Sequence, residues 1–529
     1  MLSTEPAAIW VAQGENPCYL LLNQANRHGL VAGASGTGKT VTVKALAQGF
    51  SQAGVPVFVA DVKGDVTGVG QAAEPDDALR ERLEKLGATD WQPAACPMRL
   101  WDVMGDCGIP VRITISDMGP LLLGRMLGLT DVQQGVLDIV FRVADEQGLL
   151  LIDLKDLRSM LSYVSDHAKE IETVYGRVSS QSVGAILRSL LAVEDQGGNM
   201  FFGEPAIDLA DMMACDESGQ GYVNVLRAEK LVSSPQVYAM FLLWMITELY
   251  ESLPEVGDPD KPKLVFFFDE AHLLFDDMPK ALRDKLVQVV KLIRSKGVGL
   301  YFISQSPSDI PDEVLAQLSN RIQHGLRAYT PAEQKTVKAT AEAFRENPAF
   351  DAAEALLELG TGEALVSCLD EDGKPSMVER AMVLAPECTM GAAHEETVQA
   401  AVDGHPELMA KLGGAVDRES AYEKLAAQAA EASQAAELAE ERAKLEAERA
   451  AFEKQKADEE AKAAKAAAKE AARAQAAAEK AAAKEAERQA KAEQKQREQV
   501  AKTVNSVIGQ IGRETSRQLL RGLFGSLRR

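Results

Sequence analysis

Residues 33–40 read Gly-Ala-Ser-Gly-Thr-Gly-Lys-Thr and match the phosphate-cradling pattern G-x-x-x-x-G-K-[ST]. Each residue type has a task in that pattern. Gly33, Gly36 and Gly38 let backbone N–H groups close on phosphate oxygens, at a helix N-terminus whose dipole favours anions. Lys39 reaches the β- and γ-phosphates, and the Thr40 hydroxyl is a ligand for Mg²⁺. Ala34, Ser35, Thr37 and Val41 complete the cradle expected around a nucleotide. The plain alternative is a glycine-rich turn ahead of a helix. The flanks favour the cradle: His28–Ala32 reads as a buried strand, and Val43, Leu46, Ala47 and Phe50 recur at helical spacing.

A second chemical segment lies about 230 residues further on. Lys263–Glu270 reads KLVFFFDE, five apolar residues followed by two carboxylates. Such a run suits a fully buried parallel strand, whose C-terminal edge is where α/β sheets bind ligands. Asp269 is placed to hold the Mg²⁺ shell, and Glu270 to orient or deprotonate the attacking water. An acidic helix N-terminus after a strand is the alternative. Together the two segments predict a nucleoside triphosphatase. Asp269-Glu270-Ala271-His272 also spells the DEAH box of two-lobed helicases, but no second nucleotide-binding pattern follows, so the string is read as coincidence.

Elements must hold these groups together. Strand-like runs near 28–32, 55–60, 222–226, 264–268 and 298–304 alternate with helical patterns, the signature of a wound, mainly parallel α/β sheet. Residues 354–384 are expected to add two more strands. Between Ser116 and Gln196 no strand signal occurs, and the spacing predicts an all-α insertion, either packed on the sheet or serving as a lid or partner surface.

Three further segments carry a family resemblance. Val55–Asp65 reads VPVFVADVKGD, Val298–Ile310 reads VGLYFISQSPSDI with Gln305 at the strand end, and Arg294 precedes that strand in IRSKG. In this order, with the two motifs above, the chain resembles the HerA–FtsK superfamily of ring-forming motor ATPases. It is most similar to the YjgR-type HerA-like bacterial proteins over Asn26–Pro386. The resemblance implies a RecA/FtsK-like core, ATP and Mg²⁺ as cofactors, self-association into a ring of six subunits, and double-stranded DNA as partner. It also implies that Gln305 senses the γ-phosphate and that Arg294 is the arginine finger offered to the next subunit, with Arg321 and Arg327 as rivals. A helix-end cation and a capping amide are the ordinary alternatives for Arg294 and Gln305. Asp61 and Lys63 either touch nucleotide or metal, or only shape their loop.

Departures weaken the DNA reading. Only 32 residues precede Gly33, too few for the β-barrel domain of HerA proper. The pumps' membrane helices and winged helix have no counterpart, and their TQRP-like segment stands here as SQSP, without its arginine. The alternative function is a nucleotide-gated oligomeric scaffold acting on protein or membrane partners.

Charge is distributed unevenly. The net charge of −22 divides into −26 over residues 1–420, −1 over 421–500 and +5 over 501–529. A body that acidic repels nucleic acid unless its basic groups line a channel. Six cysteines without a C-x-x-C pair, and no signal-like N-terminus, imply a reducing, cytoplasmic setting. Val237–Leu249 is too short to span a bilayer.

No glycine or proline occurs among the 94 residues from Ala415 to Ile508, a strongly helix-favouring run reaching roughly 140 Å if continuous. Leu438, Leu445 and Phe452 are spaced seven apart, as a short coiled-coil seam requires; a solvated spacer is the alternative. The expected organisation is therefore a core first part (1–115), an all-α insertion (116–215), a core second part (216–400), a helical arm (415–500) and a basic amphipathic tail (501–529). The arm and tail are the candidate surface for a protein or membrane partner.

Overall fold

The computed structural model describes residues 2–4, 7–105, 107–275 and 280–501. Residues 1–429 form one compact unit, and a second begins at Ala430.

Thirteen strands build one mixed sheet in the first unit. They are β1 (Leu2–Thr4), β2 (Ala7–Gln13), β3 (Pro17–Leu21), β4 (Gly29–Ala32), β5 (Val57–Asp61), β6 (Met98–Asp102) and β7 (Ile109–Pro110). After them come β8 (Val223–Arg227), β9 (Leu264–Phe268), β10 (Val298–Ser304), β11 (Asn320–His324), β12 (Glu363–Ser367) and β13 (Glu379–Val383). The order is β1-β2-β13-β12-β11-β4-β10-β9-β5-β8-β6-β7, with β3 on β2. From β11 to β7 every neighbouring pair is parallel, whereas β12, β13 and β1–β3 add an antiparallel wing. The expected strands and the closing pair at β12 and β13 are all present. The 32 residues ahead of Gly33 supply three strands of that wing, which the sequence reading did not foresee.

The central strands are apolar throughout because both sheet faces are covered. On β9, Val265 and Phe267 point to one face, and Leu264, Phe266 and Phe268 to the other. The first face receives helix α1 (Lys39–Gln52), which buries Val43, Leu46, Ala47 and Phe50. The second receives the helices Pro235–Ser252 and Lys280–Ile293. Pro235–Ser252 buries Val237, Phe241, Leu242, Trp244, Ile246 and Leu249 inside this core. No described helix is long and apolar enough to cross a membrane.

Between β7 and β8 the described residues form no named strand; beside isolated bridges of Ile113 with Phe202, Glu204 with Val416 and Cys215 with Gly221 they form helices, including Ile115–Met126, Asp131–Gln147, Leu154–Asp166 and Ser180–Asp195. Thr114, Thr130 and Asp153 start three of them with capping boxes, satisfying N–H groups that would otherwise lack partners. Leu137, Val140, Leu157, Leu161, Ile186 and Leu190 share a single core with Phe266 and Phe268. This burial accounts for the segment's apolar pattern by packing.

Helix Ala421–Ala501 runs for 81 residues. Leu438, Leu445 and Phe452 are each more than half exposed on it. The basic amphipathic tail expected over 502–529 lies outside the described residues.

Candidate functional site

The phosphate cradle follows β4, and its shape comes from three glycines with positive φ: Gly33 at 152°, Gly36 at 77° and Gly38 at 114°. Gly33 also permits a close approach, since a Cβ there would stand 2.5 Å from His324 Cβ. The loop is pinned at its base by Gly33 N–H to Ser304 O (3.2 Å), Ala34 N–H to Gly325 O (2.9 Å) and Gly362 N–H to Thr37 O (2.9 Å). Its inner rim is unspent. The N–H groups of Ser35, Gly36, Gly38, Lys39, Thr40 and Val41 find no acceptor among the described residues. Those at the start of α1 have no intrahelical partner by construction, so the rim is built to accept an anion.

Lys39 is buried and folded back, its Nζ donating to Gly33 O (2.6 Å) and Ala34 O (3.2 Å). Burial and the nearby Lys63 ammonium lower its pKa, partly offset by Glu270, Asp269 and Asp309. The Thr40 hydroxyl is half-buried and makes no hydrogen bond among the described residues, which leaves it free for a metal.

Strand order sets the remaining spacing. β10 lies between β4 and β9, so Gln305, the first residue past β10, stands between the cradle and the β9 carboxylates. Gln305 is exposed, while Ser304 and Ser306 beside it are tied to Asp309, through Ser304 Oγ (2.5 Å) and Ser306 N–H (3.0 Å).

Asp269 and Glu270 follow β9. Burial pushes the Asp269 carboxyl up to about 6, with Lys63 opposing and Glu270 adding to the rise. Glu270 occupies the left-handed region at φ 46°, a conformation costly for a residue with a Cβ and typical of functional positions. Its side chain is 9% exposed and bonded through Oε1 to Lys63 Nζ at 2.6 Å. Oε2 lies 3.3 Å from His272 Nδ1 and makes no hydrogen bond. Burial raises the Glu270 carboxyl, but the Lys63 hydrogen bond and charge, with His272 and Lys39, outweigh it and hold the group below its ordinary value.

The loop after β5 is shaped by Asp61, which accepts N–H bonds from Lys63 (3.2 Å), Gly64 (2.8 Å) and Val66 (2.9 Å). Burial and the Asp65 charge push its carboxyl up to about 7, against those donors. Of the two readings open for this pair, Asp61 shapes the loop and Lys63 joins the site.

The fold and this arrangement can be set beside known proteins. The sequence family described as helicase HerA-like C-terminal matches residues 7–529. The chain belongs to that family. The DNA double-strand break repair helicase HerA of Sulfolobus acidocaldarius is 22% identical over 357 residues, 65% of this chain and 63% of that protein. The probable helicase MJECL08 of Methanocaldococcus jannaschii is 30% identical over 154 residues, 27% of this chain and 28% of its own. This HerA-like chain thus spans less than two-thirds of either relative. Among solved structures, the bacterial conjugative coupling protein TrwBdeltaN70 aligns with TM-score 0.47 and 14% identity over 72% of this chain and 92% of that chain. VirB4 of Thermoanaerobacter pseudethanolicus aligns with TM-score 0.46 and 16% identity, covering 74% and 98%.

The arginines fall in three different places. Arg294 precedes β10, at the opposite end of that seven-residue strand from Gln305 and roughly 20 Å away along it. It is half-exposed, with Nη2 3.5 Å from Asp258 Oδ1, and does not join the site of its own HerA-like core. Arg321 is spent on the carbonyls of Leu318 (3.0 Å), Leu315 (3.2 Å) and Ala343 (3.5 Å), a structural role. Arg327 is exposed just beyond β11.

Two histidines support the site without having drawn attention in the sequence. His324 is buried behind the cradle, its Nδ1 against Glu363 O (2.9 Å) and its Nε2 against Thr42 Oγ1 (2.8 Å). A carbonyl only accepts, so Nδ1 carries the proton. His28, buried below β4, donates from Nε2 to Val290 O (2.8 Å) and accepts from Leu300 N–H (3.0 Å). Burial pushes both rings down to about 4, so both are neutral fixtures. Nothing in their sequence neighbourhood marks them, because their partners are backbone groups far along the chain.

Proposed function

We propose that this chain is a Mg²⁺-dependent ATPase that assembles into a ring, six subunits by family analogy, and moves duplex DNA through its centre. The single observation that carries the ATPase reading is the unspent N–H rim from Ser35 to Val41, with Lys39 beside it and Glu270 two strands away. Two strand spacings amount to about 10 Å, room for a terminal phosphate and its attacking water. The Thr40 hydroxyl and the Asp269 carboxyl suit Mg²⁺, which takes one or two protein ligands beside phosphate oxygens and water. The ion, when bound, neutralises charge on the β- and γ-oxygens.

In the reaction Lys39 exchanges the Gly33 and Ala34 carbonyls for phosphate oxygens. Glu270 takes a proton from water as the water oxygen bonds to the terminal phosphorus. The bond from that phosphorus to the bridging oxygen breaks, and its electron pair leaves with ADP. Gln305 orients the water or the γ-phosphate from between the two strands. Arg294, remote from its own site, serves a neighbour's in this reading.

A second reading keeps the ring and makes it a nucleotide-gated scaffold, with the helical segment 116–215 and the arm as partner surfaces. The charge of −26 over residues 1–420 and the exposed Leu438, Leu445 and Phe452 favour it. Phosphate release with and without duplex DNA, across a salt series, separates the two. The motor reading expects at least several-fold stimulation by DNA that falls steeply between about 50 and 200 mM salt, as counterion release requires. Turnover indifferent to DNA at every salt concentration favours the scaffold.

A further inference from the structure

Both reactive side chains of the site are engaged elsewhere. Lys39 is folded onto the carbonyls of Gly33 and Ala34, and Glu270 is bonded to Lys63. The second engagement has a direction. In the sheet order β4-β10-β9-β5, the cradle follows β4, Glu270 follows β9, and Lys63 follows β5 on the far side. Lys63 therefore reaches Glu270 from the β5 side and occupies its Oε1.

The loop that carries Lys63 is anchored while its ammonium stays reachable. Asp61 accepts the N–H groups of Lys63, Gly64 and Val66, so the loop backbone is fixed. The Lys63 side chain is nonetheless 45% exposed. On the other side of the contact, Glu270 is held with a left-handed backbone, and its second oxygen is buried without a hydrogen-bond partner. Oε1, the oxygen bonded to Lys63, is blocked by a charge-assisted hydrogen bond, the stronger kind.

We propose that Lys63 is a latch on Glu270: while the two are bonded the carboxylate is withheld from the attacking water, and hydrolysis follows when another anionic group takes the Lys63 ammonium. The proposal rests on the ATPase reading above and adds a control to it. Lys63 is then a positioning residue that acts through Glu270, and its loss releases the carboxylate.

The test is steady-state phosphate release from MgATP by the full chain, as wild type, Lys63→Met, Lys63→Arg and Lys63→Met/Glu270→Gln, with binding of a fluorescent ATP analogue measured in parallel. The latch expects Lys63→Met to raise kcat by about ten- to one-hundred-fold, the change produced by freeing one charge-assisted hydrogen bond. KM and analogue affinity should stay within about two-fold, because uniform binding is untouched. Lys63→Arg, which keeps a cationic donor for Oε1, should not show the rise seen with Lys63→Met, and the double variant should be inactive. A merely structural role for Lys63 predicts a fall in kcat or in binding, and an unchanged or lowered kcat in Lys63→Met overturns the latch. If wild type binds the analogue without turning over, gain of Glu270-dependent turnover in Lys63→Met supports the latch, and no gain overturns it. Failure of wild type to bind the analogue overturns the nucleotide reading itself and is thereby distinguished.

Discussion

Glu270→Gln is expected to reduce ATP turnover by roughly 10²–10⁴-fold, the usual contribution of a positioned general base, with nucleotide affinity within about two-fold of wild type. The substitution keeps side-chain volume and hydrogen-bonding capacity, so the left-handed backbone at Glu270 and the β9 end should survive it. What it removes is the negative charge that accepts a proton. It also loosens Lys63, but freeing a latch has no effect once the base behind it is gone. Phosphate release and analogue binding on the same preparation check this: normal turnover contradicts the base assignment, and lost binding shows that Glu270 acts through the cradle instead.

Arg294→Ala carries the second large effect. An arginine that completes a neighbour's phosphoryl-transfer site is worth on the order of 10³–10⁵ in turnover. Service to its own site is geometrically remote, because Arg294 precedes β10 whereas the cradle adjoins the opposite end of that strand. Its ion-pair partner among the described residues, Asp258, is 3.5 Å away, with side chains 44% and 68% exposed; such a contact contributes little to stability, so the variant should fold. Mixing Arg294→Ala with Lys39→Ala subunits should restore part of the activity, since an intact cradle then meets an intact arginine at mixed interfaces. Absence of rescue at all mixing ratios contradicts action in trans and leaves the exposed Arg327 as the next residue to change.

Much of this site was legible in the sequence because its parts obey local rules. The cradle needs glycines at fixed offsets, and Lys263–Glu270 announces a buried strand by an unbroken apolar run before two acids. Other parts were not legible, for a physical reason. β11 reads Asn-Arg-Ile-Gln-His and looks like loop, yet it is inserted in the sheet beside β4. Its polar groups find backbone partners that no local pattern reveals: Asn320 Nδ2 donates to Gln24 O (3.2 Å) and His28 O (3.0 Å), and its Oδ1 accepts from Leu369 N–H (3.1 Å). The N-terminal strands were missed similarly, since β1–β3 are antiparallel additions whose pairing depends on β13, some 370 residues later. Lys63 shows the same limit inside the site. Its motif was visible, but the choice between shaping a loop and meeting Glu270 is made by the adjacency of β5 and β9.

The measurement that bears most directly on the central claim is phosphate release from MgATP by the purified full chain, wild type beside Lys39→Ala. Lys39 supplies the charge next to the rim of unspent N–H groups. The expected result is Mg²⁺-dependent turnover in wild type that falls to background in Lys39→Ala and is restored to neither by raising ATP nor by adding DNA. Equal turnover in the two proteins, or turnover that persists without Mg²⁺, contradicts a phosphate cradle at residues 33–41 as the hydrolytic centre.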